Sequence, residues 1–298
     1  MKSFKNWLQE NYRYSARTLE EKQRQVKVWQ SLCSQYQTLE SLNRSELLKT
    51  VEILKNKYSN QTLNSQLKTI EQYFYFLTET GKRKDHPLKN FRIKTEKKPL
   101  LKGFLTEEEL NRLYGQFPDK GHFKGQFDVY AKRNKVILGL IVYQALSTGS
   151  IEKLELKNVN LEKGFIKVPA TSEHKLNARK LPLEAVQVMA LDFYLKETRP
   201  KLLELTTASE NSTKLFPKSE KTEFSSVTGS ILKRLKKQAP IESLYQIRIS
   251  RIALWLKQCN LRETQYKAGY KSLQSLEAFD RDALDELKEA VEKYHPLG

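Results

Sequence analysis

The chain is poor in residues that break helices and in residues that cross-link chains. Eleven Gly and nine Pro in 298 residues argue against a fold that turns every few residues, so a mostly helical chain is expected. Its two cysteines, Cys33 and Cys259, stand apart from each other and from any His cluster. That excludes a disulfide framework and a metal-ligand spacing, and neither metal nor cofactor is expected. The longest apolar run, Val136 to Val142, is far too short to cross a bilayer. The opening MKSFKNWLQE has no apolar h-region, so no signal peptide is expected. Together these point to a cytoplasmic protein with no membrane partner.

What is plentiful is positive charge. The chain has 53 Lys+Arg against 35 Asp+Glu, a formal net charge of +18. The excess is spread out: +8 over residues 1–92, +3 over 93–103 and +7 over 104–298. A polyanionic partner is favoured, and a distributed basic surface suits two domains that wrap double-stranded DNA. Hydrophobic residues make up 39%, with 14 Tyr and 13 Phe, enough to build real cores beneath that surface.

Residues 1–92 read as a helical domain. Ser15 to Thr18 opens one helix, with Leu19, Val26, Trp29 and Leu32 on one face. Ser45 starts a second through Val51 and Leu54, and Ser59 to Thr62 a third. The third carries the stripe Leu63, Leu67, Ile70, Phe74, Leu77 and stops at Gly81, where a left-handed cap is wanted. Arg24, Lys27 and Lys68 lie between core positions and are candidates to touch phosphate. Residues 93–103, IKTEKKPLLKG, form a basic linker. A second domain, 104–298, opens with Thr106 as N-cap and Glu109 completing a capping box. Helices are expected over Lys135–Leu146, Ala185–Glu197 and Phe224–Lys237. Val159–Pro169 with a turn at Gly164, and Arg179–Leu183, read as a small antiparallel sheet with a long loop at 170–178.

The last fifty residues carry a more specific pattern. Arg248 is followed by the apolar run Ile252, Ala253, Leu254, Leu256, then by Gly269-Tyr270, then nine residues on by Phe279, with His295-Pro296 closing. This block resembles the catalytic end of the tyrosine recombinases, the phage-integrase and Xer-type family, which runs His-x-x-Arg, apolar helix, Gly-His, nucleophilic Tyr. The Tyr73–Leu77 run with its Ser/Thr-rich helix start resembles the family's helical core-binding (SAM-like) domain, and Leu105-Thr106 to Leu110 resembles the opening of its catalytic domain. The resemblance implies a two-domain architecture, mainly α with a small antiparallel sheet, acting on DNA.

It also implies which positions carry the chemistry. In the family a Tyr hydroxyl attacks phosphorus, two Arg clamp the non-bridging oxygens, and a hairpin Lys with two His or His and Trp handles protons. Here Ala145-Leu146-Ser147 matches the turn that bears the first Arg, so Ser147 replaces it. Lys175 best matches the hairpin Lys, with His174 as the other candidate. Tyr245 stands for the first His, Arg248 is retained, Tyr270 replaces His or Trp, and Phe279 replaces the nucleophile. The resemblance therefore implies a DNA binder that no longer cuts, as repressor or architectural protein, with Arg248 and Lys175 among its DNA contacts. Two alternatives stay open: an active recombinase or integrase with a reorganised site, and an inactive subunit partnering an active one. The segment Asp280–Tyr294, with Leu284, Leu287 and Val291 on one face, reads as a helix that docks on a neighbour or packs in cis.

Overall fold

In a computed structural model of the chain, residues 3–33, 38–95, 103–120, 126–171, 176–206, 212–276 and 279 are described, Gln126 and Phe127 by backbone only. The chain divides into two compact units, Met1–Lys98 and Pro99–Gly298.

The first unit is a helical bundle of α1 (Phe4–Asn11), α2 (Ala16–Cys33), α3 (Arg44–Lys55) and α4 (Asn60–Glu79). The α4 stripe Leu63, Leu67, Ile70, Phe74 and Leu77 is wholly buried, which is how a 3.6-residue period converts into a core face. Ser59 caps α4 by accepting from Thr62 N–H, and Gly81 follows the helix at φ 71°. Trp29 of α2 ties to α4 by donating from Nε1 to Gln66 Oε1, 3.1 Å. Two expectations need correction. Helix α3 begins at Arg44, not Ser45, because Asn43 and Glu46 form a reciprocal capping box ahead of it. The buried face of α2 ends in Cys33, not Leu32.

The second unit holds α5 (Glu107–Gln116), α6 (Gln126–Gln144), α7 (Thr148–Glu152), strands β1 (Val159–Asn160), β2 (Phe165–Val168) and β3 (Arg179–Pro182), then α8 (Ala185–Phe193), α9 (Arg199–Thr206), α10 (Phe224–Leu235), α11 (Leu244–Gln258) and α12 (Leu261–Ala268). The sheet is antiparallel in the order β1-β2-β3, with Val159 opposite Ile166 and Ile166 opposite Leu181. The architecture is thus mainly α with a small antiparallel sheet. Thr106 and Glu109 make the expected capping box on α5. Helix α6 starts about two and a half turns before the apolar stretch that betrayed it, and ends at Gln144 instead of Leu146. The helix expected to stop at Glu197 runs on: a π-helical turn, Tyr194–Thr198, joins α8 directly to α9. Pro200 does not end it: at the π turn the hydrogen-bond ladder is already shifted, Arg199 N–H reaching back five residues to Tyr194 O, at the point where proline has no N–H to give.

Most apolar side chains of this unit meet in one core around Ile137, Leu138, Ile141, Ile166, Leu181, Leu202, Ile231 and Ile247. A separate cluster gathers Ala145, Ile249, Ile252, Trp255, Ala268, Leu276 and Phe279, with Phe104 packed against it. The two clusters lie on α11, which therefore offers one face to each.

Candidate nucleic-acid interface

Helix α11 starts at Ser243, whose hydroxyl accepts from Gln246 N–H. Its first turns put Tyr245 and Arg248 on one side. Arg248 is only 6% exposed, and each nitrogen of its guanidinium donates one hydrogen bond, two of them to backbone carbonyls. Nε donates to Ala145 O at 2.9 Å, Nη2 to Ala268 O at 3.2 Å and Nη1 to the Tyr270 hydroxyl at 2.8 Å. The guanidinium carbon also lies 5.0 Å from the Tyr270 ring centroid, a cation–π distance.

The two carbonyls come from turns the sequence had singled out. Ala145 adopts φ 48°, a left-handed conformation that strains an alanine by about 1–2 kcal/mol and that a glycine adopts freely. Two residues on, Ser147 caps α7: its Oγ accepts from Ser150 N–H at 3.1 Å and meets Ser150 Oγ at 2.9 Å. On the other side, Gly269 ends α12 at φ 77°. A Cβ there would sit 2.3 Å from Arg179 Nη1, so glycine is required twice over, by backbone and by its neighbour.

Ser147, Tyr245, Arg248 and Tyr270 line one cavity of about 350 Å³, with Leu146, Thr148, Gly149, Leu176 and Leu244. Four hydroxyls and one guanidinium converge there. Such a surface can hold an oxyanion by donated hydrogen bonds. The lining has no imidazole or carboxylate, hence no conventional general base among the described residues. Tyr245 is half exposed; desolvation, followed by the neighbouring Tyr270, pushes its hydroxyl up against the pull of Arg248. A raised Tyr is a weaker nucleophile at neutral pH.

Phe279 is not part of that lining. It is 4% exposed in the apolar cluster, its ring centroid 6.2 Å from that of Phe104. The hydroxyl of Tyr266, another tyrosine of this end of the chain, is engaged by the backbone of β3: it accepts from Lys180 N–H at 2.9 Å. Lys175, His174, the segment Asp280–Tyr294 and His295-Pro296 lie outside the described residues.

Arg179 is a residue the sequence reading passed over. It faces inward with Leu181 on β3, where Lys180 and Pro182 face out. At 4% exposure it has no carboxylate partner among the described residues; Nη1 reaches Asn177 O at 3.3 Å, while Nε and Nη2 are buried with no hydrogen bond among those residues. Burial, then the like charge of Arg248, pull its guanidinium down to about 10. The strand alternation Arg179, Leu181, Leu183 was the available signal that it points inward.

In the first unit, Arg24 is exposed and paired with Glu21 at 2.8 Å. Lys27 and Lys68 are exposed. A shallow cleft of about 610 Å³ is lined by Arg17, Glu21, Lys22, Arg24 and Thr69. Lys22 was missed. It is 9% exposed, donates to Gln72 Oε1 at 2.8 Å and Thr69 Oγ1 at 3.2 Å, and lies over the Tyr14 ring. Burial, then the charge of Lys68, pull its amine down to about 8. Among the described residues, no group of three or more His, Cys, Asp or Glu side chains is placed to hold a metal ion, and no helix is long and apolar enough to cross a membrane.

Solved structures share this architecture. The Tn1549 transposon integrase, solved in complex with a circular intermediate DNA, matches at a TM-score of 0.65 over 95% of this chain and 98% of that one, at 14% identity. A lambda integrase dimer bound to a COC' core site matches at 0.64 over 92% and 91%, at 13% identity. The fold is that of the integrase class. In sequence, the chain is 29% identical over 253 residues to tyrosine recombinase XerC of Natranaerobius thermophilus, covering 82% of this chain and 79% of that protein. It is 28% identical over 248 residues to tyrosine recombinase XerA of Pyrococcus furiosus, covering 80% and 76%. No protein-family model matches. Fold and sequence agree: in both, the chain is similar to the tyrosine recombinases.

Proposed function

We propose that this protein is a member of the family that grips duplex DNA without cutting it, as a repressor or architectural binder. The observation that carries the proposal is Phe279. At the position where the family keeps its nucleophile stands a phenyl ring, buried among apolar side chains and stacked near Phe104. A phenyl ring cannot attack phosphorus. Ser147 and Tyr245, at two further catalytic positions, bring hydroxyls where the family brings a guanidinium and an imidazole. What is kept suits binding: Arg248 is held rigidly at a cavity lined by hydroxyls. The net charge of +18 supplies the sequence-independent part of the affinity. Lys175, Arg24, Lys27 and Lys68 are proposed as further phosphate contacts. Assembly on DNA through the segment 280–294 belongs to the same reading; the lambda integrase structure is of a dimer on its core site.

Selection of duplex oligonucleotides tests this. A defined site should emerge, and affinity for it should fall linearly in log–log plots against salt, with a slope tracking the phosphates neutralised. Binding that is absent, or indifferent to salt, overturns the proposal.

A second reading is favoured by one observation. Tyr270 brings a hydroxyl onto Arg248, and a second guanidinium, Arg179, packs against the neighbouring Gly269. A tyrosine and two arginines are the core of a cleaving site, so a recombinase with a relocated nucleophile is the alternative. Its signature is a phosphotyrosyl peptide mapping to Tyr270, lost in Tyr270→Phe.

A further inference from the structure

Arg179 has no work in the DNA-binding reading so far, yet it is the most anomalous side chain around the site. A guanidinium carries five N–H donors and is always charged near neutral pH. Here Nε and Nη2 are sealed from solvent and bonded to nothing among the described residues. Buried arginines normally meet a carboxylate or a set of carbonyls, as Arg199 meets Ser212 O and Lys214 O and Arg251 meets Val142 O and Glu107. Arg179 meets one carbonyl, Asn177 O, at 3.3 Å.

Its surroundings make the anomaly larger. The guanidinium packs against Gly269, so close that a Cβ there would be 2.7 Å from Cζ. Arg248 is bonded to the residues on either side, Ala268 and Tyr270. Two guanidiniums thus share one three-residue turn, and neither forms an ion pair among the described residues. The turn itself is locked to the sheet, with Asn177 N–H donating to Gly269 O at 2.8 Å and Leu176 bridging to Tyr270. Neither charge can swing away to relieve the repulsion. A buried like-charge pair without a counter-ion is tolerable when an anion completes it.

We infer that Arg179 and Arg248 form one anion-binding centre for a single DNA backbone phosphate. Arg248 and Tyr270 touch the phosphate at the cavity wall, and Arg179 supplies the second positive charge from behind the Gly269 turn as a positioning residue. The inference rests on the DNA-binding reading. It also accounts for how a site that has Ser147 in place of the family's first arginine still presents two positive charges to a phosphate.

The test compares wild type with Arg179→Met and Arg179→Gln, which remove the charge, and Arg179→Lys, which keeps it. Duplex affinity is measured by fluorescence anisotropy on a selected site across a salt series. Thermal unfolding is measured with and without inorganic phosphate. Expected for the two neutral variants is about tenfold or greater weakening on every duplex sequence, with a salt slope smaller by about 1. The free neutral variants should melt no lower than wild type, since an unpaired buried charge is gone, and phosphate should no longer raise their melting temperature. Arg179→Lys should recover most of the affinity. Neutral variants that melt early yet bind duplex as wild type does would overturn the inference and make Arg179 a structural residue. If wild type binds no duplex, the DNA reading fails and phosphate decides the centre: a stabilisation confined to wild type and Arg179→Lys supports it, and an equal stabilisation in all four proteins overturns it.

Discussion

Substituting Phe279→Tyr looks like a repair, since it writes the family's nucleophile back into the chain. The packing says it should do harm. Phe279 is 4% exposed, and the side chains clustered with it are Ala145, Ile249, Ile252, Trp255, Ala268 and Leu276, with Phe104 alongside. A hydroxyl placed among them must shed its water without a partner, which costs roughly 1–3 kcal/mol in mutated proteins. For a folding unit of this size, each kcal/mol moves the melting temperature by about 2–4 °C, so a drop of about 2–12 °C in the second unit's calorimetric transition is expected. Phe279→Leu provides the control: it shrinks the side chain but adds no polar atom, so the tyrosine variant should melt no higher than the leucine variant. On the proposed reading cleavage should not appear, because Ser147 would still stand where a guanidinium is needed and Tyr245 where an imidazole is needed. A tyrosine variant that melts at the wild-type temperature would mean that its hydroxyl reaches water or the Arg248 cavity, and the reasoning from burial would be wrong.

Other consequences can be checked on the same protein. Lys22 has a folded-state value of about 8 against 10.5 for an ordinary lysine, so the unfolded chain binds the extra proton between those limits and stability should rise with pH across that window. Measured against Lys22→Met, wild type should therefore gain up to roughly 3 kcal/mol between pH 8 and 10.5, and a difference that is flat with pH would contradict the burial of that charge. Gly269→Ala must adopt φ 77° and push against Arg179; a loss of about 2 kcal/mol or more is expected, falling to about 1 kcal/mol in an Arg179→Ala background, where only the left-handed strain is left. Equal losses in the two backgrounds would show that the contact with Arg179 is not what excludes a side chain there.

Much of this was legible before any coordinates. The α4 stripe declared itself because five large apolar residues recur at helical spacing, and Ser59 and Gly81 bracket it with the right chemistry at each end. The short α1 escaped because it buries only Trp7 and Leu8, too few for a period to show. The run from α8 into α9 escaped because Pro200 lies within it, and a proline inside a helical pattern ordinarily marks a boundary. At the site, Ser147, Arg248 and Tyr270 could be placed by their spacing in a family pattern, and they share one cavity. Arg179 and Lys22 could not be placed that way, because a charged residue is taken as surface by default. Both nevertheless sit on a period: Arg179 alternates with Leu181 and Leu183, and Lys22 fills the gap between Leu19 and Val26. The charge concealed what the period disclosed.

The decisive experiment presents the full chain with a duplex that carries its selected site and a nick beside the scissile phosphate, so that any cut strand is lost and a covalent link is trapped. After denaturation, the DNA should run free of protein. DNA that stays attached to the protein, through Tyr270 or any other tyrosine, would contradict the claim that this scaffold binds without cutting.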